Sequence, residues 1–343
     1  MVSQILNSSA VRLDGFITLN FVHPFRRALS RFQVSKSARQ SSGRSFPVPI
    51  LMYHSITDDP EPGVAPYYRL NTSPSVFRQQ MQFLADHSYR TISLDQMVEL
   101  LNPSLTRPGG HSQPSDAGGA EGDGRFVVLT FDDGFRNFRT EAFPVLQKHG
   151  FTGTVFLPTA FIGGRQKVQS PRLSAAPHSL FATRHSRPDE FLTWSEVREL
   201  HKAGIEFGSH TVNHPKLVEL YWPDVEREIS QSKSEIEEQL AQPITAFCYP
   251  YAFPKANRSF SRSFRELLAQ TGYTCCTTTE LGRVQTGDDR YRLKRLPANS
   301  LDDQALLAAK LEGSYDWLAL PQMMVGKLKA RPAVQPLPVN VES

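Results

Sequence analysis

The chain has 343 residues, with 38 Lys and Arg against 34 Asp and Glu, a formal net charge of +4. That length can bury a large core and allows one large α/β domain or two smaller ones, and a charge so near balance leaves no electrostatic footprint of a nucleic-acid binder. Three cysteines, Cys248, Cys275 and Cys276, show no C-x-x-C spacing and make no disulfide framework, and no apolar run approaches the ~20 residues of a membrane span.

Residues 1–46 read as a basic arm, disordered or partly helical. They carry Arg12, Arg26, Arg27, Arg31, Lys36, Arg39 and Arg44 against the single acid Asp14. An Arg- and Ser-rich, acid-poor stretch of this kind also has the composition of a transit peptide. Phe16, Ile17, Leu19, Phe21 and Val22 could dock on the body or, weakly, on a membrane surface. Without a secretory signal the expected compartment is the cytoplasm.

Val48–Tyr53 is predicted to be a buried strand with His54 at its C-terminal end. Pro74 and Ser75 open a helix that puts Phe77, Met81 and Leu84 on one face, and Tyr89–Ser93 is a short strand. Ser93 and Gln96 form a capping box for a helix through Leu100 and Leu101. The Gly/Ser/Pro-rich stretch 102–124 reads as a flexible surface insertion. Phe126–Phe131 is an apolar run that stops at Asp132, Asp133 and Gly134, which reads as a parallel-sheet strand with two carboxylates at its mouth.

A helix over 137–149 ends at Gly150, Thr152–Leu157 is the next strand, and 163–189 is a loop. Thr193 and Glu196 cap a helix to Ala203, followed by a strand Ile205–Phe207. A long helix Pro223–Leu240 should turn Val225, Ile229, Ile236 and Leu240 inward and its acids outward. Strands at Ile244–Tyr249, Tyr273–Thr278 and Arg292–Leu296 and helices at Ser263–Gln270 and Asp302–Leu311 complete the body. Residues 321–343 form a Pro-rich tail. Strand and helix alternate throughout, so the fold is a parallel α/β barrel or doubly wound sheet, and about seven strands favour the barrel.

In Gly208-Ser209-His210-Thr211-Val212-Asn213-His214-Pro215, two imidazoles stand four residues apart just beyond a strand. Both this run and the Asp pair should empty onto the C-terminal rim of one sheet. One Asp and two His with open positions make a catalytic rather than a structural metal shell.

Thr130-Phe131-Asp132-Asp133-Gly134 and Ser209–Pro215 resemble the first two signature motifs of the polysaccharide deacetylases, the NodB homology domain or carbohydrate esterase family 4. Phe247-Cys248-Tyr249-Pro250-Tyr251 resembles the third. The resemblance spans roughly residues 48–300 within a catalytic domain at 47–320, and it implies a distorted (β/α) barrel of about seven parallel strands. It implies that Asp133, His210 and His214 hold a divalent metal, most often Zn2+. Asp132 would be the base, the Tyr251 backbone N–H an oxyanion donor, and the substrate an N-acetylated oligo- or polysaccharide or glycan precursor. Pro250, Tyr249 and Trp222 are further candidates for the sugar groove.

The sequence departs from the family pattern twice. Cys248 stands where an arginine usually orients the base, and Arg295 on the last strand is the expected substitute. No histidine follows His214, so the acid is expected to be His54, because Pro49–His54 resembles the first strand of the poly-N-acetylglucosamine deacetylase branch. Other readings are an amidohydrolase on a non-sugar amide and an inactive carbohydrate-binding barrel.

Overall fold

The computed structural model describes residues 13–34, 47–64, 68–101, 125–164 and 190–322. The expected insertion at 102–124, most of 163–189 and nearly all of the tail lie outside them.

Ten strands follow in chain order: β1 (Ile50–Tyr53), β2 (Ser55–Ile56), β3 (Asn71–Thr72), β4 (Tyr89–Thr91), β5 (Arg125–Phe131), β6 (Thr154–Leu157), β7 (Glu206–Ser209), β8 (Ala246–Cys248), β9 (Cys275–Leu281) and β10 (Leu293–Pro297). β1 pairs with β5 on one side and β10 on the other, and β5 to β10 pair in sequence. Seven parallel strands therefore close into a ring, the barrel that the count of about seven strands favoured over a doubly wound sheet. β4 lies outside it, paired with the start of β5, and β2 and β3 make a small separate pair.

The helices are α1 (Leu13–Ile17), α2 (His23–Val34), α3 (Pro74–Asp86), α4 (Leu94–Leu101), α5 (Phe143–His149), α6 (Trp194–Lys202), α7 (Trp222–Leu240), α8 (Arg258–Thr271) and α9 (Gln304–Leu311). Their starts follow the local sequence. Ser73 accepts from the Val76 N–H before Pro74, Thr193 and Glu196 form a reciprocal capping box, and Ser93 and Gln96 exchange the same two bonds. Gly150 closes α5 in the left-handed conformation at φ 64°, which glycine adopts without steric cost.

Side chains alternate across each strand, and the core divides accordingly. Val127, Leu129, Phe131, Leu51 and Tyr53 belong to the larger cluster under the helices. Val128, Ile50, Phe156, Ala246, Cys248, Cys275 and Leu293 form a second cluster, the barrel's filling. Gly208 is required by this packing, since a Cβ there would lie 2.6 Å from the Phe156 ring and 2.7 Å from the Ala246 carbonyl oxygen.

The basic arm is helical over its described part. α1 runs through a π turn (Thr18–Val22) into α2. It docks near the end of α9. Tyr315 donates to Asp14, Trp317 Nε1 donates to Thr18 Oγ1 at 3.0 Å, and Arg26 donates to the Gly313 carbonyl at 2.6 Å. Among the described residues no helix is long and apolar enough to cross a membrane.

Candidate metal centre and catalytic rim

The alternation of β5 carries past its end. Val128 and Thr130 face the barrel interior, and Asp132 continues on that side. It is 3% exposed, and its N–H donates to the Tyr53 carbonyl at 2.9 Å. Asp133 then takes φ 75° and Gly134 φ 63°, and this left-handed turn separates the two carboxylates. At φ 63° a side chain on Gly134 would be strained, and its Cβ would push on Leu157 Cδ2 at 2.9 Å, so the turn favours glycine.

The second motif comes to meet Asp133. Its Oδ1 lies 3.5 Å from His210 Nε2 and 3.5 Å from His214 Nε2, and the two nitrogens are 3.1 Å apart. Tetrahedral zinc with ligands at about 2.0–2.1 Å needs donors about 3.3 Å apart, which these three atoms match. The chemistry of the set fits a cation as well. All three residues are buried, and Asp133 Oδ1 has no hydrogen-bond partner. Burial, reinforced by the neighbouring Asp132 charge against the opposing pull of His210, pushes the Asp133 carboxyl up to about 7. Burial and the neighbouring His210 hold His214 well below its usual value, so it is the neutral imidazole that metals bind. The other ring nitrogen of His210 lies 2.8 Å from the Cys248 carbonyl, an outer contact that fixes the ring.

A second group, Asp132, His210 and Cys248, also clusters, but it is not a metal shell. Both oxygens of Asp132 already have a cationic partner. Arg295 Nη1 and Nη2 donate to its two oxygens at 2.7 and 2.8 Å. Arg295 is 1% exposed, faces inward beside Leu293, and also donates to the Thr278 carbonyl at 2.9 Å and Thr130 Oγ1 at 3.2 Å. Burial pushes the Asp132 carboxyl up, but the Arg295 fork and the His54 ring outweigh it and hold it well below the usual carboxylate range. Cys248 Sγ sits 3.3 Å from Arg295 Nη2 and 3.6 Å from Asp132 Oδ2. The small Cys248 side chain, where the family pattern has an arginine, thus leaves room for Arg295 to reach the acid.

His54 follows β1 directly. Its Nε2 is 3.7 Å from Asp132 Oδ2, and burial lowers its pKa to about 4 despite that carboxylate. The strand beyond it is pinned by Asn137, whose Oδ1 accepts from the Ile56 N–H at 3.1 Å and whose Nδ2 donates to Ser55 Oγ at 2.7 Å.

The groove candidates divide. Tyr251 has φ 58°, its ring lies edge-on to His214 with centroids 4.7 Å apart, and its carbonyl accepts from Thr279 Oγ1 at 3.1 Å. It stands at the site beside buried Pro250. Tyr249 does not: it is 1% exposed and packs among Phe253, Phe260 and Phe264. Alternation turns it outward from the barrel, so it cannot stack on a sugar. Trp222, at the start of α7, is half-buried and rests edge-on against Phe260.

Glu228 belongs to the site and was not expected there. It is 1% exposed although the acids of α7 should face outward. Its Oε2 accepts from the Val212 and Asn213 N–H groups, each at 2.9 Å, and its Oε1 from Asn213 Nδ2 at 2.7 Å. It thereby holds the loop between the two histidines, where Thr211 and His214 sit at φ 71° and 52°. Ser232, one turn further, lies 2.6 Å from Ser209 Oγ. The signal was in the sequence: Glu228 and Ser232 share the inward stripe of Val225, Ile229 and Ile236.

Two buried imidazoles and a carboxylate stand at one end of a closed parallel barrel as a candidate metal centre, with an acid and a histidine beside them. Residues 119–276 match the family described as Polysaccharide deacetylase. The chain is 25% identical over 249 residues to YxkH of Bacillus subtilis (strain 168), covering 73% of this chain and 70% of that protein. It is 27% identical over 164 residues to the poly-beta-1,6-N-acetyl-D-glucosamine N-deacetylase of Escherichia coli (strain K12), covering 48% of this chain and 20% of that one. Its fold is similar to that of the Streptococcus pyogenes deacetylase PplD, solved in complex with acetate, at a TM-score of 0.58 and 25% identity over 78% of this chain and 99% of the other. Over residues 119–276 the chain is similar to the polysaccharide deacetylases, within a barrel similar to that of a solved deacetylase, which supports a deacetylase hydrolase.

Proposed function

We propose that the protein removes N-acetyl groups from N-acetylated sugars of a polysaccharide or glycan precursor, with a divalent cation, in first place Zn2+, held by Asp133, His210 and His214. The observation that carries this reading is the spacing of those three donor atoms, 3.1–3.5 Å, with an ionised acid and a histidine at the same rim. A cation held there lowers the pKa of water toward neutrality.

Asp132 takes a proton from the attacking water as its oxygen bonds to the acetyl carbonyl carbon. The Arg295 fork aims the carboxylate and keeps it ionised. The Tyr251 N–H is the donor for the developing oxyanion, a kind of contact worth about 3 kcal/mol in comparable sites. The carbon–nitrogen bond then breaks, giving acetate and an amine that needs one proton. His54 is neutral at rest, with its pKa lowered to about 4, so it delivers only a proton it has first received. Asp132, 3.7 Å away, is the source. The water proton passes from Asp132 to His54 Nε2 and on to the departing nitrogen, and the count closes.

The test is acetate release from a panel of N-acetylated oligosaccharides with and without a chelator. Release that stops on chelation and returns with Zn2+ is expected. No release from any sugar of the panel, or release indifferent to the chelator, would sink the reading.

A further inference from the structure

The N-terminal helix is inverted with respect to an ordinary surface helix, which buries an apolar stripe and shows polar side chains to water. Here much of the polar side is turned to the protein, with Leu19 packed against the core beside it. Asp14 meets Tyr315, Thr18 meets Trp317, His23 Nδ1 lies 2.9 Å from Ser314 Oγ, and Arg26 reaches the Gly313 carbonyl. Leu13, Phe16, Phe21, Phe25 and Leu29 face outward, each between 46% and 67% exposed, and Phe16 and Phe21 touch edge-to-face at 6.1 Å. Five large apolar side chains on one exposed ridge mark an interaction surface.

Charge selects the occupant. Residues 1–46 hold seven Lys and Arg and one acid, and the exposed Arg26 and Arg27, which contact the Gly313 carbonyl and Glu312 of the body, border the ridge. A second copy of this helix would bring like charges together. An anionic bilayer surface complements both features, taking the apolar side chains into its headgroup region and attracting the arginines.

We propose that the ridge of Leu13, Phe16, Phe21, Phe25 and Leu29 seats the enzyme on an anionic phospholipid surface, without spanning it. None of these residues touches the metal rim, so the ridge would serve this role whatever the substrate.

The test is co-sedimentation of the full chain with vesicles of phosphatidylcholine alone and of phosphatidylcholine mixed with phosphatidylglycerol. It is repeated at raised salt and with the triple variant Phe21→Ser, Phe25→Ser, Leu29→Ser. These side chains are exposed, so the variant should unfold at the parent temperature. Expected are binding to the mixed vesicles, at least about tenfold weaker binding to phosphatidylcholine alone, a loss with salt, and a comparable loss in the variant. A parent that ignores anionic vesicles, or a variant that binds them as well as the parent, would overturn the proposal. So would light scattering that finds a parent dimer and a variant monomer, since the ridge would then be covered by a second copy.

Discussion

At Asp132 burial opposes the charge and the Arg295 fork imposes it. Removing the fork therefore exposes the cost of the buried carboxylate. Arg295→Met should destabilise the protein by about 3–5 kcal/mol in urea unfolding, as breaking one side of a buried pair does. Arg295→Lys, which keeps a charge but not the paired geometry, should fall between. Equal stability of all three forms would show that the pair contributes nothing. His54 touches the acid without stabilising the cation site, so His54→Ala should cut kcat by about 10²–10⁴-fold while zinc content by elemental analysis stays at the parent level. A kcat near the parent's removes His54 from the proton path. The grouping of Asp133 with His210 and His214 was legible from residue chemistry at strand ends, whereas Asp132, His54 and Arg295 were reached through the resemblance to the family's motifs. Tyr249 was not legible. One residue of register separates the barrel interior from the helix side, and Tyr249 falls on the helix side of Cys248.

The elements explain what motif reading passed over. α7 looks amphipathic, and the simplest assignment sends every acid to water, yet Glu228 lies on its inward stripe. A buried carboxylate is tolerated only with partners, and here the partners are the amides of the metal-binding loop. Glu228→Ala would leave two buried N–H groups unsatisfied and release the turn that sets His214. The expected result is about 10–100-fold weaker metal binding, read by titrating Co2+ into the metal-free protein. Glu228→Gln can still accept from both amides and should stay within about threefold of the parent. A glutamine variant as weak as the alanine one would mean that charge, not hydrogen bonding, holds the loop. The strands and capped helices were legible because period and capping act locally. The pairing of β1 with both β5 and β10, which brings His54 and Arg295 to one acid, depends on contacts far apart in sequence.

The whole barrel also has a titrating group away from its catalytic rim. Glu206 opens β7, and its Oε2 accepts from Thr154 Oγ1 at 3.2 Å. Burial pushes its carboxyl up to about 7, against the hydrogen bond from Thr154. An acid whose folded pKa is raised opposes folding when ionised. The penalty is absent below the unfolded value of about 4.3, grows as pH rises between that value and about 7, and is complete above. Because the side chain is only partly buried, the full effect should be about 1–2 kcal/mol. Glu206→Gln removes the titration and keeps a hydrogen-bonding side chain. Urea unfolding at about pH 8 should find the variant more stable than the parent by that amount, and at about pH 5 the difference should shrink to a few tenths of a kcal/mol. A difference that stays constant between the two would show that Glu206 does not carry a raised pKa, and that its contact with Thr154 compensates the burial.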